Sequence, residues 1–285
     1  MKLALGTVQF GMQYGIANAG VRLGRTEVGQ LLKYALQSGV DMLDTAAAYG
    51  DSEACLGAAG VGGFRVVTKL PIEMDDDVES WVFEHLKASL RRLRTDRVYG
   101  LLLHRSQQLQ GDGGRLLAKA FVRLKTEGLV TKVGISIYDP KELEQVTKLC
   151  PIDLVQAPLN VFDQRLMISG WLQRLHDEGV EVHVRSVFLQ GLLLMPRNRI
   201  PNKFSPWSVL FDRWHAWLAE SNTTAIEACL AFVNHPMIDR VVIGVNDLVQ
   251  LKDLLQASRG DSTKELPNLA CHDTKLINPS NWSSL

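Results

Sequence analysis

The stretch "DMLDTAAAYGDSE", residues 41–53, carries an apolar strand into a loop of small residues, with Asp44 directly after the strand's last apolar residue and Tyr49 five positions further on. Whether those two residues serve the fold or a site depends on what recurs around them. Upstream lies "KLALG" (2–6), and downstream follow "RVVTK" (65–69), "YGLLLH" (99–104), "KVGISI" (132–137), "DLVQA" (153–157), "VEVHVR" (180–185) and "RVVIGV" (240–245). With "VDMLD" (40–44) these make eight short apolar runs. The intervals between them have helical spacing, the pattern of repeated βα units on a parallel sheet. Eight strands, each followed by a helix, is the count of a (β/α)8 TIM barrel, a class that runs to about 250 residues. The chain has 285 residues, so we expect an α/β fold with a single domain over 1–285 and a C-terminal tail from about residue 258.

The helical intervals carry matching detail. In "DVESWVFEHLKASLRRLR", Val78, Val82, Leu86, Leu90 and Leu93 recur three or four apart and form one apolar face to lay on a sheet. Gly39, Gly128 and Gly179 each follow a helix, and Pro140 sits where one begins. No G-x-G-x-x-G follows the first strand, so "GAAGVGG" (57–63) reads as a connecting loop and a Rossmann mode of dinucleotide binding is not supported. One interval, after the seventh strand, is too long for an ordinary βα connection and contains Trp207, Trp214 and Trp217. It is either an extra helix packed by its tryptophans against the barrel, or a lid from Pro196 to Glu220 over the barrel's mouth, with Arg197 and Arg199 in reach of an anionic substrate group.

Lysine plus arginine equals aspartate plus glutamate at 31 each, so no net field draws the chain to nucleic acid or to an anionic membrane. A small neutral or modestly charged molecule is the expected partner. Cys55, Cys150, Cys229 and Cys271 lie far apart with no CxxC pair, which argues against a structural zinc site or a redox dithiol and for reduced thiols. No apolar run reaches the roughly 18 residues of a spanning helix, and the expectation is a cytoplasmic protein. The sequence carries no signal of oligomeric state.

In a TIM barrel, polar residues at the C-terminal ends of strands face the active site. Here those ends read Asp44, Lys69, His104, Ser136 and Gln156. Taken singly, each has a plain structural reading: the aspartate caps the next helix, the lysine reaches solvent along its apolar stem, the histidine is a satisfied core residue. Asp44, Lys69 and His104, however, end the second, third and fourth strands in succession, with Tyr49 in the loop between the first two. This set resembles the catalytic tetrad of the aldo-keto reductases. The words "LALGTVQFG", "GVDMLDTAAAYGDSE", "SLRRLRTDRVYGLLLHR" and "VTKVGISIY" resemble that family too, and the likeness runs to about residue 257. Within the family the closer resemblance is to bacterial members found beside polysaccharide genes.

The resemblance implies reduction of an aldehyde or ketone, sugar-derived ones included, to an alcohol by hydride from a nicotinamide dinucleotide, with NADP(H) favoured and NAD(H) open. The alkoxide that hydride transfer leaves must be protonated, and Tyr49 as general acid needs a pKa below its free value of about 10. Lys69 would supply the charge that lowers it, and Asp44 would fix the lysine by an ion pair in a dry site. His104, as a neutral imidazole, would donate to the carbonyl oxygen. The same resemblance sets Thr7, Ser136 and Gln156 at the nicotinamide, with "GLLL" from Gly191 and "GVND" from Gly244 flanking the phosphates and adenosine. Asn246 belongs to that last stretch, and Gln250 follows three residues beyond it.

Three positions depart from the family pattern. Ile137 stands where an asparagine commonly holds the carboxamide, and Arg185 where an aromatic ring usually stacks on the nicotinamide; a planar guanidinium can stack as well. Asn246 and Asp247 replace the basic residues that usually grip the 2′-phosphate, and Asp247 with Gln250 reads as a capping box opening the last barrel helix. Two rival functions remain open from the residues alone. Lys69 could be a Schiff-base nucleophile of an aldolase-type barrel, or the protein could be a dinucleotide-binding sensor with little turnover.

Overall fold

Strand alternation explains how this chain builds a barrel with two different ends. The computed structural model describes residues 1–16, 23–109, 113–260 and 264–285. All eight expected strands form: β1 (Leu3–Gly6), β2 (Met42–Asp44), β3 (Arg65–Lys69), β4 (Val98–Leu103), β5 (Val130–Ser136), β6 (Leu154–Pro158), β7 (Glu181–Arg185) and β8 (Arg240–Gly244). Each pairs in parallel with the next, and β8 returns to β1 with Gly244 opposite Gly6, closing the sheet. Ala4, Met42, Val67, Leu102, Leu154 and Val242 pack together as a cluster separate from the main core. Because side chains repeat every second residue along a strand, the positions two further on share this interior face. Those positions are Gly6, Asp44, Lys69, His104, Gln156 and Gly244, joined on β5 by Ser136 and on β7 by Arg185.

Two residues below the apolar layer, the same face turns ionic again. Glu181 accepts hydrogen bonds from Tyr99 Oη at 2.6 Å and lies 2.7 Å from His183 Nε2 and 2.5 Å from Lys132 Nζ. Beside it Asp41 pairs with Arg65 at 2.5 Å and with Arg240 at 2.9 Å. The interior is therefore layered: an ionic floor, an apolar middle, and the polar strand ends.

The outer helices bury the faces their spacing predicts. In the helix Val78–Leu93, Val78, Val82, Leu86, Leu90 and Leu93 are all buried. Its neighbour, Ser52–Ala59, approaches so closely that a β-carbon on Gly57 would stand 2.0 Å from the Arg92 carbonyl oxygen. "GAAGVGG" thus begins as the last turn of a helix, and only its second half is loop. Gly39, Gly128 and Gly179 adopt left-handed φ of 87°, 72° and 72° after their helices, as a C-terminal glycine should.

The long interval after β7 resolves into a packed layer. The helix Ser208–Ser221 buries Trp214, whose indole donates to the Leu193 carbonyl at 3.1 Å and stacks on Trp217 at 5.9 Å. Trp217 donates to the Glu265 carbonyl and Trp207 to Asp273 Oδ2. Arg197 pairs with Asp212 at 2.5 Å. Among the described residues, none between 196 and 220 lines the cavity at the strand ends. The lid reading gives way to the packing one: the indoles tie this segment to the chain beyond residue 264. That tail, whose residues 261–263 lie outside the described residues, is itself seated, with Trp282 buried against Phe204 at 4.9 Å. Among the described residues no helix is long and apolar enough to cross a membrane.

Candidate active site

A cavity of about 520 Å³ sits over the strand ends, and Asp44, Tyr49, His104, Ser136 and Arg185 are among the residues that line it. At its base Lys69 is 1% exposed. An unpaired ammonium there would be untenable, and the structure supplies three acceptors: Asp44 Oδ1 at 2.8 Å, Asp44 Oδ2 at 2.9 Å and the Thr45 carbonyl at 2.9 Å. Burial by itself pushes the Lys69 ammonium down, but the Asp44 carboxylate and contact with Tyr49 outweigh it, and the net displacement is upward. Lys69 is therefore a held cation.

Tyr49 lies beside that cation, with Lys69 Nζ 4.9 Å from its ring centroid, and edge-on to His104 at 6.2 Å between ring centroids. Its pKa corrects an expectation. Burial pushes the phenol up, Lys69 pulls it down, and burial prevails, so Tyr49 is held protonated rather than brought toward neutrality. His104 behaves as expected: burial first, then the charges of Lys69 and Arg185, bring it down to about 4, and the ring is neutral at physiological pH. Its backbone is pinned by Gln108, whose Oε1 accepts from the amides of His104 and Arg105 while its Nε2 donates to the Pro71 carbonyl.

The residues assigned to a dinucleotide divide into several kinds. Gln156 donates from Nε2 to Asp44 Oδ1 at 2.7 Å, leaving its Oε1 buried without a partner among the described residues. Thr7 lines the cavity, yet its hydroxyl is committed inside the protein, donating to the Asp44 carbonyl at 2.9 Å and lying 2.8 Å from Ser52 Oγ. Ile137 is buried, and its carbonyl accepts from Arg185, whose guanidinium lies 4.6 Å from the centroid of the Tyr138 ring. Gly191 belongs to a tight loop in which Ser186, Leu189 and Gln190 also take positive φ, conformations that cost non-glycine residues energy and cluster at ligand clamps. Gly244 faces Gln9 so closely that a β-carbon would meet its Nε2 at 2.5 Å.

Asp247 caps the helix Leu248–Ala257 by accepting from the Gln250 amide at 2.7 Å, and Gln250 Oε1 accepts from the Asn246 amide at 2.9 Å. Asp247 is thus the N-cap, but the reciprocal half of a capping box is not formed, because the Gln250 side chain reaches the amide one residue before the cap. Among the described residues, Asn246 Oδ1, like Gln9 Oε1, is buried without a partner. These orphaned acceptors, from Gln156 through Gln9 to Asn246, fit an elongated ligand that carries hydrogen-bond donors along its length, as a carboxamide and a nucleoside do. Sequence reasoning missed Gln9, Tyr14, Tyr138, Gln190 and Asp253, all of which line the cavity. The signal for the first two was the stretch "VQFGMQYG" just after β1; Tyr138 and Gln190 sit on loops whose approach no local pattern encodes, and Asp253 lies on the helix Leu248–Ala257.

A closed eightfold barrel with a buried lysine–aspartate pair, a tyrosine and a neutral histidine at its strand ends defines a class of barrel oxidoreductases. The chain belongs to the Aldo/keto reductase family, whose profile matches residues 2–266, and it is an oxidoreductase of that family. It is 28% identical over 283 residues to the uncharacterized oxidoreductase YqkF of Bacillus subtilis, covering 87% of this chain and 88% of that one. Among solved structures it shares its fold with the aldo-keto reductase AKR11C1 of Bacillus halodurans in its holo form, at a TM-score of 0.73, 23% identity, and coverage of 92% and 88%. The glycerol dehydrogenase AKR11B4 of Gluconobacter oxydans superposes similarly, at a TM-score of 0.72, 19% identity, and coverage of 92% and 87%.

Proposed function

We propose that this protein reduces an aldehyde or ketone, sugar-derived carbonyls among them, to the alcohol, with Tyr49 as proton donor. The observation that carries the reading is the buried Lys69, clamped by both oxygens of Asp44 beside the Tyr49 ring. The reduced nicotinamide dinucleotide, when bound, supplies the hydride. Tyr49 gives its phenolic proton to the carbonyl oxygen, and Lys69 stabilises the phenolate that remains. His104, neutral, donates to the same oxygen and fixes its direction. Gln156 holds Asp44 from the far side, so the clamp keeps one geometry while ligands come and go.

For the dinucleotide, Gln156 Oε1 would accept from the carboxamide, and Gly191, Gly244, Asn246 and Gln250 would border the more distant half. Ser136 and Arg185, which line the cavity, would hold the nicotinamide end. The chain accepts NADPH but separates it weakly from NADH, because Asp253 also lines that end of the cavity and the nearby cations are engaged elsewhere. Lys252 lies against the Tyr34 ring, and Arg240 is bound to Asp41 at the other end of its strand. An aldolase-type role for Lys69 is disfavoured, since a Schiff-base nucleophile must be a free amine and this one is held as ammonium.

The test is Tyr49→Phe. With a chemistry-limited aldehyde such as nitrobenzaldehyde we expect unchanged dinucleotide affinity by fluorescence quenching and a turnover lower by about a hundredfold or more. A variant that keeps over half of the wild-type turnover removes Tyr49 from the chemistry. Wild-type protein that quenches the dinucleotide's fluorescence but reduces no aldehyde favours the sensor reading instead.

A further inference from the structure

A second cavity, of about 490 Å³, opens beside the catalytic one, and Tyr138 lines both. Its other walls include Met74 beyond β3, Arg105 and Gln107 beyond β4, Glu142 beyond β5 and Ser280 of the tail. His104 and Arg105 are consecutive at the end of a strand, where successive side chains diverge. Accordingly, His104 lines the catalytic cavity and Arg105 the neighbouring one.

The charges around this pair of cavities are unequally satisfied. Asp44 is neutralised by Lys69. The Glu142 carboxylate is engaged by hydrogen bonds rather than by a cation, accepting from Ser106 Oγ of the loop after β4 and from the amides of Tyr138 and Asp139 of its own loop. Arg185 gives one bond to a backbone carbonyl and covers one face of Tyr138. Arg105 is exposed and, among the described residues, has no carboxylate within 4.0 Å of its side chain. Two guanidinium groups thus border the shared Tyr138 wall without a carboxylate partner. A solvated arginine on a convex surface would need no explanation; this one lines a concavity one residue from the imidazole over which the carbonyl would lie. A guanidinium fork suits an oxyanion in two-point contact, and Gln107 and Ser280 add neutral donors to the same walls.

We propose that the physiological carbonyl substrate carries an oxyanion, a carboxylate or a phosphate monoester, which Arg105 binds in the second cavity while the carbonyl lies between Tyr49 and His104. Sugar acids and sugar phosphates are substrates of this form. The inference rests on the reductase reading for the position of the carbonyl, but the anion site is tested by binding, independently of turnover.

Product-like alcohols serve as unreactive probes. Titration calorimetry of wild type and Arg105→Gln, each with NADPH present, compares 4-(hydroxymethyl)benzoate with neutral 4-methylbenzyl alcohol, and glycerol 3-phosphate with glycerol. In wild type one anionic probe should bind at least about tenfold tighter than its neutral partner, the pair identifying carboxylate or phosphate, and the preference should shrink with added salt. In Arg105→Gln that ratio should fall to near unity. Equal affinities for both pairs in wild type, or a preference that survives in Arg105→Gln, overturns the proposal. Neither result depends on Tyr49, so the outcome of the Tyr49→Phe experiment stands apart from it.

Discussion

A β-carbon on Gly11 would stand 1.7 Å from the carbonyl oxygen of Tyr49, so the loop after β1 and the loop after β2 touch backbone to backbone at the tyrosine itself. Gly50 completes the contact from the other side with a left-handed φ of 55° and a hypothetical β-carbon 2.7 Å from the Gly11 carbonyl oxygen. Neither clash falls on a flexible side chain, so a methyl group at Gly11 must displace main chain. We expect Gly11→Ala to fold, because the barrel strands are untouched, but to move the Tyr49 hydroxyl and lower reductive turnover by about tenfold or more, as small misplacements of a catalytic group do. Steady-state kinetics beside dinucleotide titration check it; turnover within twofold of wild type would mean that the tyrosine's position is set elsewhere.

On the proposed reading, the two perturbed groups that would flank the carbonyl set a pH profile. Reduction needs His104 neutral and Tyr49 protonated. His104 is lowered to about 4 and Tyr49 is raised above its usual value, so kcat/KM for reduction should be level from about pH 5 to about pH 9. It should fall as His104 takes up its proton at the acid end and as Tyr49 loses its own at the alkaline end. Lys69→Met removes the cation that pulls Tyr49 down and leaves Asp44 without its buried partner; a loss as large as that of Tyr49→Phe is expected. Trapping of a borohydride adduct on Lys69 with a carbonyl substrate would instead restore the aldolase reading.

Cofactor preference should follow the charges at the start of the last barrel helix. Asp247 faces its own helix cap, and Asn246 offers an acceptor rather than a cation. Wild type should prefer NADPH by less than a hundredfold, about 2.7 kcal/mol, and Asn246→Arg should widen the gap by adding a partner for the 2′-phosphate. Parallel titrations with NADPH and NADH decide. A thousandfold preference in wild type would require a cation that neither Lys252 nor Arg240 supplies from its present place.

Acid should weaken the floor of the barrel. Burial alone would raise Glu181, but hydrogen bonds from His183, Lys132 and Tyr99 overcome it and bring the carboxyl from its usual 4.5 down to about 2. A carboxylate lowered in the folded state contributes fully above its unfolded pKa, and the contribution disappears as pH falls from about 4.5 toward about 2. Urea midpoints at pH 6 and pH 3 should therefore differ less in Glu181→Gln than in wild type. Equal differences would place the acid sensitivity in other carboxylates.

The barrel was legible because each strand announces itself locally, by an apolar run, and its order is fixed by the βα rhythm. The gathering of the candidate tetrad was legible because Asp44, Lys69 and His104 occupy the last interior position of successive strands, so period two along each strand brings them to one ring. What stayed hidden is long-range and made by backbone or by burial. The Gln156 amide meets Asp44 across 112 positions of sequence, and the Trp217 indole meets a backbone carbonyl, which leaves no side-chain signature at Glu265. The elevated pKa of Tyr49 comes from the depth of its pocket, a quantity that the residue types around "AAAYGDSE" do not state.

The apolar tier formed by Ala4, Met42, Val67, Leu102, Leu154 and Val242 separates the strand-end site from the ionic floor on six of the eight strands, and on β7 the interior position at this height is the buried imidazole of His183. Methyl and methylene groups relay no protons, so along those six strands a Tyr49 acting as the acid would be recharged from the mouth that ligands themselves use. Ligand traffic and proton traffic would then share that entrance, and a turnover would clear it before the acid is ready for the next.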